Sequence, residues 1–360
     1  MDADQLNILA RQVLHNCDIS DAYHSGLYSI CGLALRLRDL YKWEKRLDPW
    51  DEQDSSEILD WIESKENKWE KYVENDYVKL PIFGKSYDPF DVDGINAVLE
   101  PAGMFYGAGY ARSLKPTFLL AAIENKTAIN GTTVYTLGRE LARDLLTIPA
   151  LAQNDCILLR QESARLYIWD KLFYINKSVR PFLNVALEQC GIKENSPRAL
   201  RDHLDTILAI VKNNYIYHEL GEIQDTAFDR NIWREVIAAF PASPVEFAAR
   251  AVKDLLADTN ELGALRYFIR ERNIASLAFH VAFFDGLAKT FFPELFIAFQ
   301  EFMKKGDWHI IEHAVTIGRD TAITHAELIT SIYQEGTQKD NLEWAESEIQ
   351  KRLLGKYLPK

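Results

Sequence analysis

Cysteine is scarce in this sequence, and its spacing excludes two classes of small stabilised protein. The chain of 360 residues has four cysteines, and no two of them form a Cys-x-x-Cys unit. This spacing argues against a structural zinc knuckle, and the chain is far longer than a disulfide-stapled mini-fold. Cys31 and Cys156 lie in apolar-patterned segments, where a free thiol behaves as a small hydrophobic side chain. The cysteine usage therefore predicts a reducing, cytoplasmic location.

An excess of positive charge and a long uncharged apolar run are also missing. The 41 basic residues are outnumbered by 53 acidic ones, which gives a formal net charge of -12. Nucleic acids and anionic membranes attract a positive surface, so neither is expected as a partner. The most apolar stretch, 274–302, contains Asp285, Lys289 and Glu294. It has no window of about 18 uncharged residues, so no membrane span is predicted, and the acidic N-terminal segment is not expected to be a signal peptide.

Phosphate-binding and hydrolase signatures are absent. Gly107 and Gly109 form the only Gly-x-Gly unit, and no third glycine follows at the spacing of a dinucleotide fingerprint. The chain contains neither Gly-x-x-x-x-Gly-Lys-Ser/Thr nor Gly-x-Ser-x-Gly. These absences argue against a phosphate-cradling loop and against the commonest α/β-hydrolase elbow.

Helical periodicity dominates what the sequence does contain. Glycine and proline are sparse, at 17 and 12 residues, and apolar side chains recur at helical spacing through most of the chain. The predicted fold class is mainly α, a multi-helical bundle-like architecture with one β-hairpin in the N-terminal half. The hairpin is expected near 117–137, where two apolar runs flank a loop that contains Asn130 and Gly131. The same pattern predicts helices over 137–146 and 151–175.

The length of the chain predicts two domains. The segment 190–197 (CGIKENSP) is rich in turn-forming residues, and an almost uninterrupted helical pattern follows it. We therefore predict an N-terminal helical domain over 1–192, with an irregular segment at 77–112, and an all-helical C-terminal domain over 193–360.

A His-x-x-Glu-His sequence at 309–313 matches the pattern of inverted zinc metallopeptidases. A site of that kind needs both histidines to face a shared cavity. The apolar face of the predicted helix contains Ile311 and Val315, and the histidines lie on nearly the opposite side of the helix. We therefore expect His309 and His313 to lie on a solvated face.

The segment 200–222, which continues the helix predicted over 198–220, carries polar side chains on its apolar stripe. The phase of the stripe places His218, Glu219 and Glu222 close to its centre. His218 and Glu222 are four residues apart, so both can contact one ion if the helix continues past Gly221. The alternative is that the helix ends at Gly221 and these side chains reach water.

Further carboxylates lie on apolar stripes of two helices predicted in the N-terminal half: Glu140, Asp144 and Glu162. Metal sites of helix bundles are built from inward-facing side chains of several helices. We therefore predict that His218, Glu219 or Glu222 lies near Glu140, Asp144 or Glu162 in a shared interior cavity. The alternative is a structural network in which core arginines such as Arg38 and Arg165 pair with the carboxylates.

The sequence assigns no reaction and no substrate. The leading prediction is a soluble, cytoplasmic, helical protein with a structural or interaction role rather than a catalytic one. The alternative is a metal- or small-ligand-binding helical enzyme that uses His218 and buried carboxylates, with a divalent metal as the cofactor. A protein partner or a homo-oligomer is compatible with the sequence, although no motif indicates either one.

Overall fold

The computed structural model of the chain describes residues 1–355. The chain divides into two compact units, residues 1–170 and the residues from 171 onward. The domain boundary predicted between residues 192 and 193 lies shortly after the helix Arg180–Gln189, within the second unit. This boundary stays a prediction, and limited proteolysis can test it.

The first unit combines helices with a five-stranded sheet and a two-stranded ribbon. Its helices are α1 (Ala3–His24), α2 (Ile30–Glu44), α3 (Ser55–Trp69), α4 (Val92–Leu99) and α5 (Gln161–Phe173). Its strands are β1 (Leu80–Ile82), β2 (Lys85–Tyr87), β3 (Met104–Tyr110), β4 (Pro116–Ile129), β5 (Thr132–Arg143), β6 (Ala150–Gln153) and β7 (Cys156–Arg160). The ribbon consists of β1 and β2, and the other five strands form the sheet.

The large sheet is mixed, with the strand order β3-β4-β5-β7-β6. Neighbouring strands are antiparallel except β5 and β7, which run parallel. The strands β4 and β5 form a hairpin at the predicted place. Its turn residues Asn130 and Gly131 have positive φ angles of 48° and 83°, which match the twist of the flanking strands.

The predicted fold class, a helix bundle with one β-hairpin, is therefore wrong, although most of the chain is helical. Residues 137–143 belong to strand β5 instead of a helix, and the predicted helix 151–175 is helical only from Gln161. The error has a physical cause in the spacing of Leu137 and Leu141. A four-residue interval places two side chains on one face of a helix, and equally on one face of a strand.

The sheet curls until its two edge strands approach each other. The side chain of Gln153 on β6 accepts a hydrogen bond from the amide of Ala108 on β3 (3.1 Å) and donates one to the carbonyl of Tyr106 (3.3 Å). Apolar side chains fill both faces of the curled sheet. One cluster includes α1, α4, Tyr106 and Phe118, and the other includes Phe105, Tyr135 and Leu158.

In the second unit, the regular elements of the described residues are all helical. They are α6 (Arg180–Gln189), α7 (Pro197–Asp202), α8 (Leu204–Gln224), α9 (Arg230–Ala239), α10 (Pro244–Thr259), α11 (Ala264–Arg270), α12 (Ile274–Phe283), α13 (Gly286–Phe291), α14 (Glu294–Lys305), α15 (Trp308–Gln338), α16 (Leu342–Ile349) and a final π-helical turn (Gln350–Leu354). Within residues 1–355, no helix is long and apolar enough to cross a membrane.

Helix α10 is the centre of this unit and packs against α8, α9, α11, α13 and α15. The sequence predicts its start, because Ser243 precedes Pro244 and proline fits the first turn of a helix. The Ser243 hydroxyl accepts a hydrogen bond from the amide of Glu246 and caps the helix. Most of the helix is buried, which holds its side chains in fixed positions.

Helix α8 continues past Gly221 to Gln224, because this glycine is a packing position rather than a helix end. A Cβ atom at Gly221 would lie 2.0 Å from the carbonyl oxygen of Ala257 on α10. The amide of the Asn260 side chain also donates a hydrogen bond to the Gly221 carbonyl (2.8 Å). The missing side chain thus lets α8 and α10 approach closely at this level.

Candidate metal centre

Four ionisable side chains meet where α8 faces α10. His218 and Glu222 are one turn apart on α8, and Asp254 and Asp258 are one turn apart on α10. One nitrogen or oxygen atom of each of His218, Glu222 and Asp254 lies within 4.8 Å of the others. In the part of the chain that the structure describes, no other three histidine, cysteine or carboxylate side chains come together in this way.

Asp258 fixes the orientation of the His218 ring. Its Oδ1 atom lies 2.8 Å from Nδ1 of His218, and its side chain is only 7% exposed. The other ring nitrogen, Nε2, points to Asp254, whose Oδ1 atom is 3.9 Å away. An imidazole that donates Nδ1–H to a carboxylate presents Nε2 in the tautomer that binds metals.

The cluster favours the protonated form of His218. Burial lowers the pKa of this side chain, but the carboxylates around it, first of all Asp258, outweigh burial and raise the pKa well above its ordinary value. A cation that binds Nε2 must therefore displace a proton, so cation binding will release protons.

His280 on α12 extends the cluster into the apolar interior. Its Nε2 atom lies 3.7 Å from Oδ2 of Asp258, and this nitrogen is buried without a hydrogen-bond partner. The ring stacks on Phe284, with 5.5 Å between the centroids, and meets the edge of Phe268. Burial lowers the pKa of His280, so its ring is neutral near pH 7. Asp258 is thus placed between two imidazoles.

Lys253 on α10 supplies a second positive charge beside the cluster. Its Nζ atom lies 2.6 Å from Oε1 of Glu222 and 3.9 Å from the ring centroid of Trp233 on α9. Burial raises the pKa of Glu222, but the ammonium group of Lys253 outweighs burial and lowers it. Glu222 is therefore ionised near pH 7.

The structure brings two of the predicted residues, His218 and Glu222, into one group. Glu219, on the next position of α8, is outside the three-residue group, although its charge contributes to the raised pKa of His218. The sequence prediction missed Asp254 and Asp258. The signal for them in the sequence is a pair of acids one turn apart near the end of a largely apolar helix.

The other predicted carboxylates lie in the first unit, and each is paired with a basic side chain there. Glu140 accepts hydrogen bonds from Arg160 (2.8 and 3.0 Å) and is completely buried, and Asp144 lies 2.9 Å from Lys115. Glu162 is half-buried and lies 3.2 Å from Arg46. Basic side chains thus satisfy these carboxylates, as the alternative interpretation expects.

The arginines in that network are not the predicted ones. Arg38 pairs with Asp39 (2.8 Å) and Asp170 (2.6 Å), and Arg165 lies 4.0 Å from Asp48. The shared cavity predicted for His218 and the carboxylates of the first unit stays a prediction.

The His-x-x-Glu-His sequence lies on the exposed side of α15. The His309 side chain is 83% exposed, and its Nδ1 atom lies 3.2 Å from the Glu312 carboxylate on the same helix. His313 is exposed as well. The expectation that both histidines lie on a solvated face is confirmed.

Comparison with known proteins identifies two adjoining family domains. The profile of the N-terminal domain of a family of unknown function, DUF6866, matches residues 8–160. The profile of the C-terminal domain of the same family matches residues 165–352, which is more than half of the chain. No curated protein and no solved structure matches the sequence at a significant level.

Proposed function

The chain belongs to the DUF6866 family of unknown function, and we propose that its helical C-terminal unit binds a divalent cation through Nε2 of His218, Glu222 and Asp254. The hydrogen bond from His218 to the buried Asp258 is the observation that carries this proposal. Histidines that bind metals nearly always have such a carboxylate or carbonyl partner on the other ring nitrogen. A surface ion pair does not require this arrangement.

The donor set favours a transition metal. Imidazole suits zinc, iron, copper and nickel, and carboxylates suit manganese as well as magnesium and calcium. Mn²⁺ is a transition metal that also accepts nitrogen ligands, so one nitrogen and two carboxylates fit Mn²⁺, Fe²⁺ or Zn²⁺ better than Mg²⁺ or Ca²⁺. Three protein ligands leave coordination positions for water or for an oxygen-bearing ligand, as in sites where a metal acts on a bound molecule.

Metal titration of the full-length protein tests the proposal. Calorimetry with Mn²⁺ should show one site in the wild type and no site in His218→Ala. His309→Ala is the matched control, because this histidine is exposed and outside the cluster. Mn²⁺ is preferred to Zn²⁺ as the probe, since the exposed thiol of Cys31 can bind zinc.

A second variant tests the role of the buried carboxylate. Asp258→Asn retains the shape of the side chain but removes the charge that orients His218. Loss of such an outer partner weakens metal binding by roughly 10–100-fold. The proposal is abandoned if the wild type binds no Mn²⁺, or if His218→Ala binds it as tightly as the wild type does.

The second candidate function is a structural or interaction role. It is supported by apolar side chains that are exposed where α1 meets α2: Ile30 is 89% exposed and Tyr23 is 69% exposed, with Leu27 and Leu35 nearby in the sequence. Scattered apolar side chains are normal on a surface, whereas a group of them is typical of interaction sites. A second copy of the chain is the simplest partner. Sedimentation of the wild type and Ile30→Asp tests this role, because only the wild type should self-associate.

We also propose a cytoplasmic location and the absence of nucleic-acid partners. The four free cysteines and the net charge of -12 support both statements. Fluorescence microscopy of a tagged chain tests the location. The protein should show no retention on DNA at low salt, where phosphate contacts are strongest.

A further inference from the structure

Lys253 forms an ion pair with Glu222, one of the three proposed metal ligands. Its ammonium group lies 2.6 Å from a carboxylate oxygen of Glu222, and its side chain is only 16% exposed. A carboxylate oxygen that accepts a hydrogen bond from an ammonium group is not free to bind a cation. A metal that binds this oxygen, or both oxygens, of Glu222 must therefore compete with Lys253.

Charge balance makes this competition effective. The carboxylates of Glu222, Asp254 and Asp258 lie around His218, and the ammonium group of Lys253 pairs with one of them, Glu222. Without Lys253, the site would hold one more negative charge and would attract any divalent cation more strongly.

The ring of Trp233 contacts the lysine as well. The Nζ atom is 3.9 Å from the ring centroid, within the range in which an ammonium group is attracted to the face of an indole. The ring can therefore continue to stabilise the ammonium group when a metal takes its place on Glu222.

On the basis of the function proposed above, we propose that Lys253 sets the affinity threshold of the site for divalent cations. It competes with the cation for Glu222 and admits only metals that bind the imidazole and carboxylates strongly enough to displace it. Mn²⁺, Fe²⁺ and Zn²⁺ meet this requirement, whereas Mg²⁺ and Ca²⁺, which gain little from an imidazole ligand, are excluded. When the metal binds, Lys253 gives up Glu222 and keeps its contact with Trp233.

Calorimetric titration of Lys253→Met with Mn²⁺ and Mg²⁺ tests this role. The variant should bind Mn²⁺ on the order of tenfold or more tightly than the wild type, and it should gain measurable Mg²⁺ binding. Lys253→Arg retains the positive charge and should keep the preference for Mn²⁺ over Mg²⁺. Lys253→Gln serves as a second neutral variant if the methionine variant does not fold.

Arg250→Met is the matched control for the loss of a positive charge. Arg250 is on the same helix and also lies over Trp233, with its guanidinium carbon 5.5 Å from the centroid, but its carboxylate partner is Glu246. Its substitution should leave the affinity for Mn²⁺ close to that of the wild type. Equal tightening in Arg250→Met and Lys253→Met would overturn the specific role of Lys253.

The outcomes separate this inference from the proposed function. If neither the wild type nor Lys253→Met binds Mn²⁺, the metal site itself is refuted. If the wild type binds Mn²⁺ and Lys253→Met binds it no more tightly and still excludes Mg²⁺, only the role of Lys253 is refuted. Binding by Lys253→Met alone would contradict the proposal that the wild type admits Mn²⁺.

Discussion

Replacing Lys115 by methionine should strongly destabilise the first unit. The ammonium group of Lys115 lies 2.9 Å from both Asp21 and Asp144, and each of the three side chains is only 1% exposed. It also donates a hydrogen bond to the Ser20 hydroxyl (3.1 Å). Methionine retains the length of the side chain but leaves two buried carboxylates without their shared counter-ion.

The size of the effect follows from these distances. At 2.9 Å and an effective dielectric constant of about 20, each pair is worth about 6 kcal/mol of attraction. The cost of removing three charges from water offsets much of this, so the net loss on removing one partner is about 3–5 kcal/mol. Protonation of Asp21 in the variant should place the loss in the lower part of this range.

Hydrogen exchange of the full-length protein measures this loss of stability separately for the first structural unit. Amides of β4 and β5 should exchange on the order of a hundredfold faster in Lys115→Met than in the wild type, while peptides of α10 should be unaffected. Lys126→Met is the matched control, because Lys126 lies on β4 but its ion pair with Glu100 is exposed. An increase of less than about threefold in β4 and β5 would refute the argument that this lysine stabilises the fold.

Three further predictions concern pH, helix packing and domain structure. Burial raises the pKa of Asp21 to about 7, so the folded chain holds a proton that the unfolded chain releases near pH 4. The stabilisation that this proton contributes is fully present below about pH 4 and is lost as the pH rises through 7. Between pH 6 and 8, the free energy of unfolding measured with urea should fall by about 1.4 kcal/mol more in the wild type than in Asp21→Asn. The same dependence on pH in both proteins would contradict this. Gly221→Ala should lower the melting temperature and weaken Mn²⁺ binding, because its Cβ would clash with the Ala257 carbonyl; Gly26→Ala, with open space around it, should do neither. Limited proteolysis should cut within 190–197 or 77–112, and cleavage confined to the helices of 200–290 would show that the predicted division is wrong.

The sequence predicts the second unit better than the first. Helical periodicity and Ser243-Pro244 locate α10 correctly, because caps and amphipathic stripes are local signals. In the first unit the same criterion wrongly predicted a helix for residues 137–143 of β5, since Leu137 and Leu141 fit both periods. The turn at Asn130 and Gly131 was recognisable because its backbone conformation needs those residue types.

Only the half of the candidate site that lies on α8 could be predicted from the sequence. His218 and Glu222 share one helix, so their spacing places them together, and the sequence alone is sufficient for that step. Asp254 and Asp258 join them only because α8 packs on α10, which is a tertiary contact that no periodicity reveals. For the same reason, nothing local indicates that Glu140 pairs with Arg160, which is on another strand.

The parallel pairing of β5 with β7 determines how the correct strand register is selected. The strands β6 and β7 are joined by only two residues and pair locally, whereas β7 must also find β5 across a longer stretch of chain. Correct alignment sets Leu137 opposite Arg160 and brings the guanidinium group to the buried Glu140. A shift of two residues would preserve the apolar face of β7 but leave the carboxylate buried without its arginine. The ion pair therefore selects one alignment among several that hydrophobic burial alone would accept.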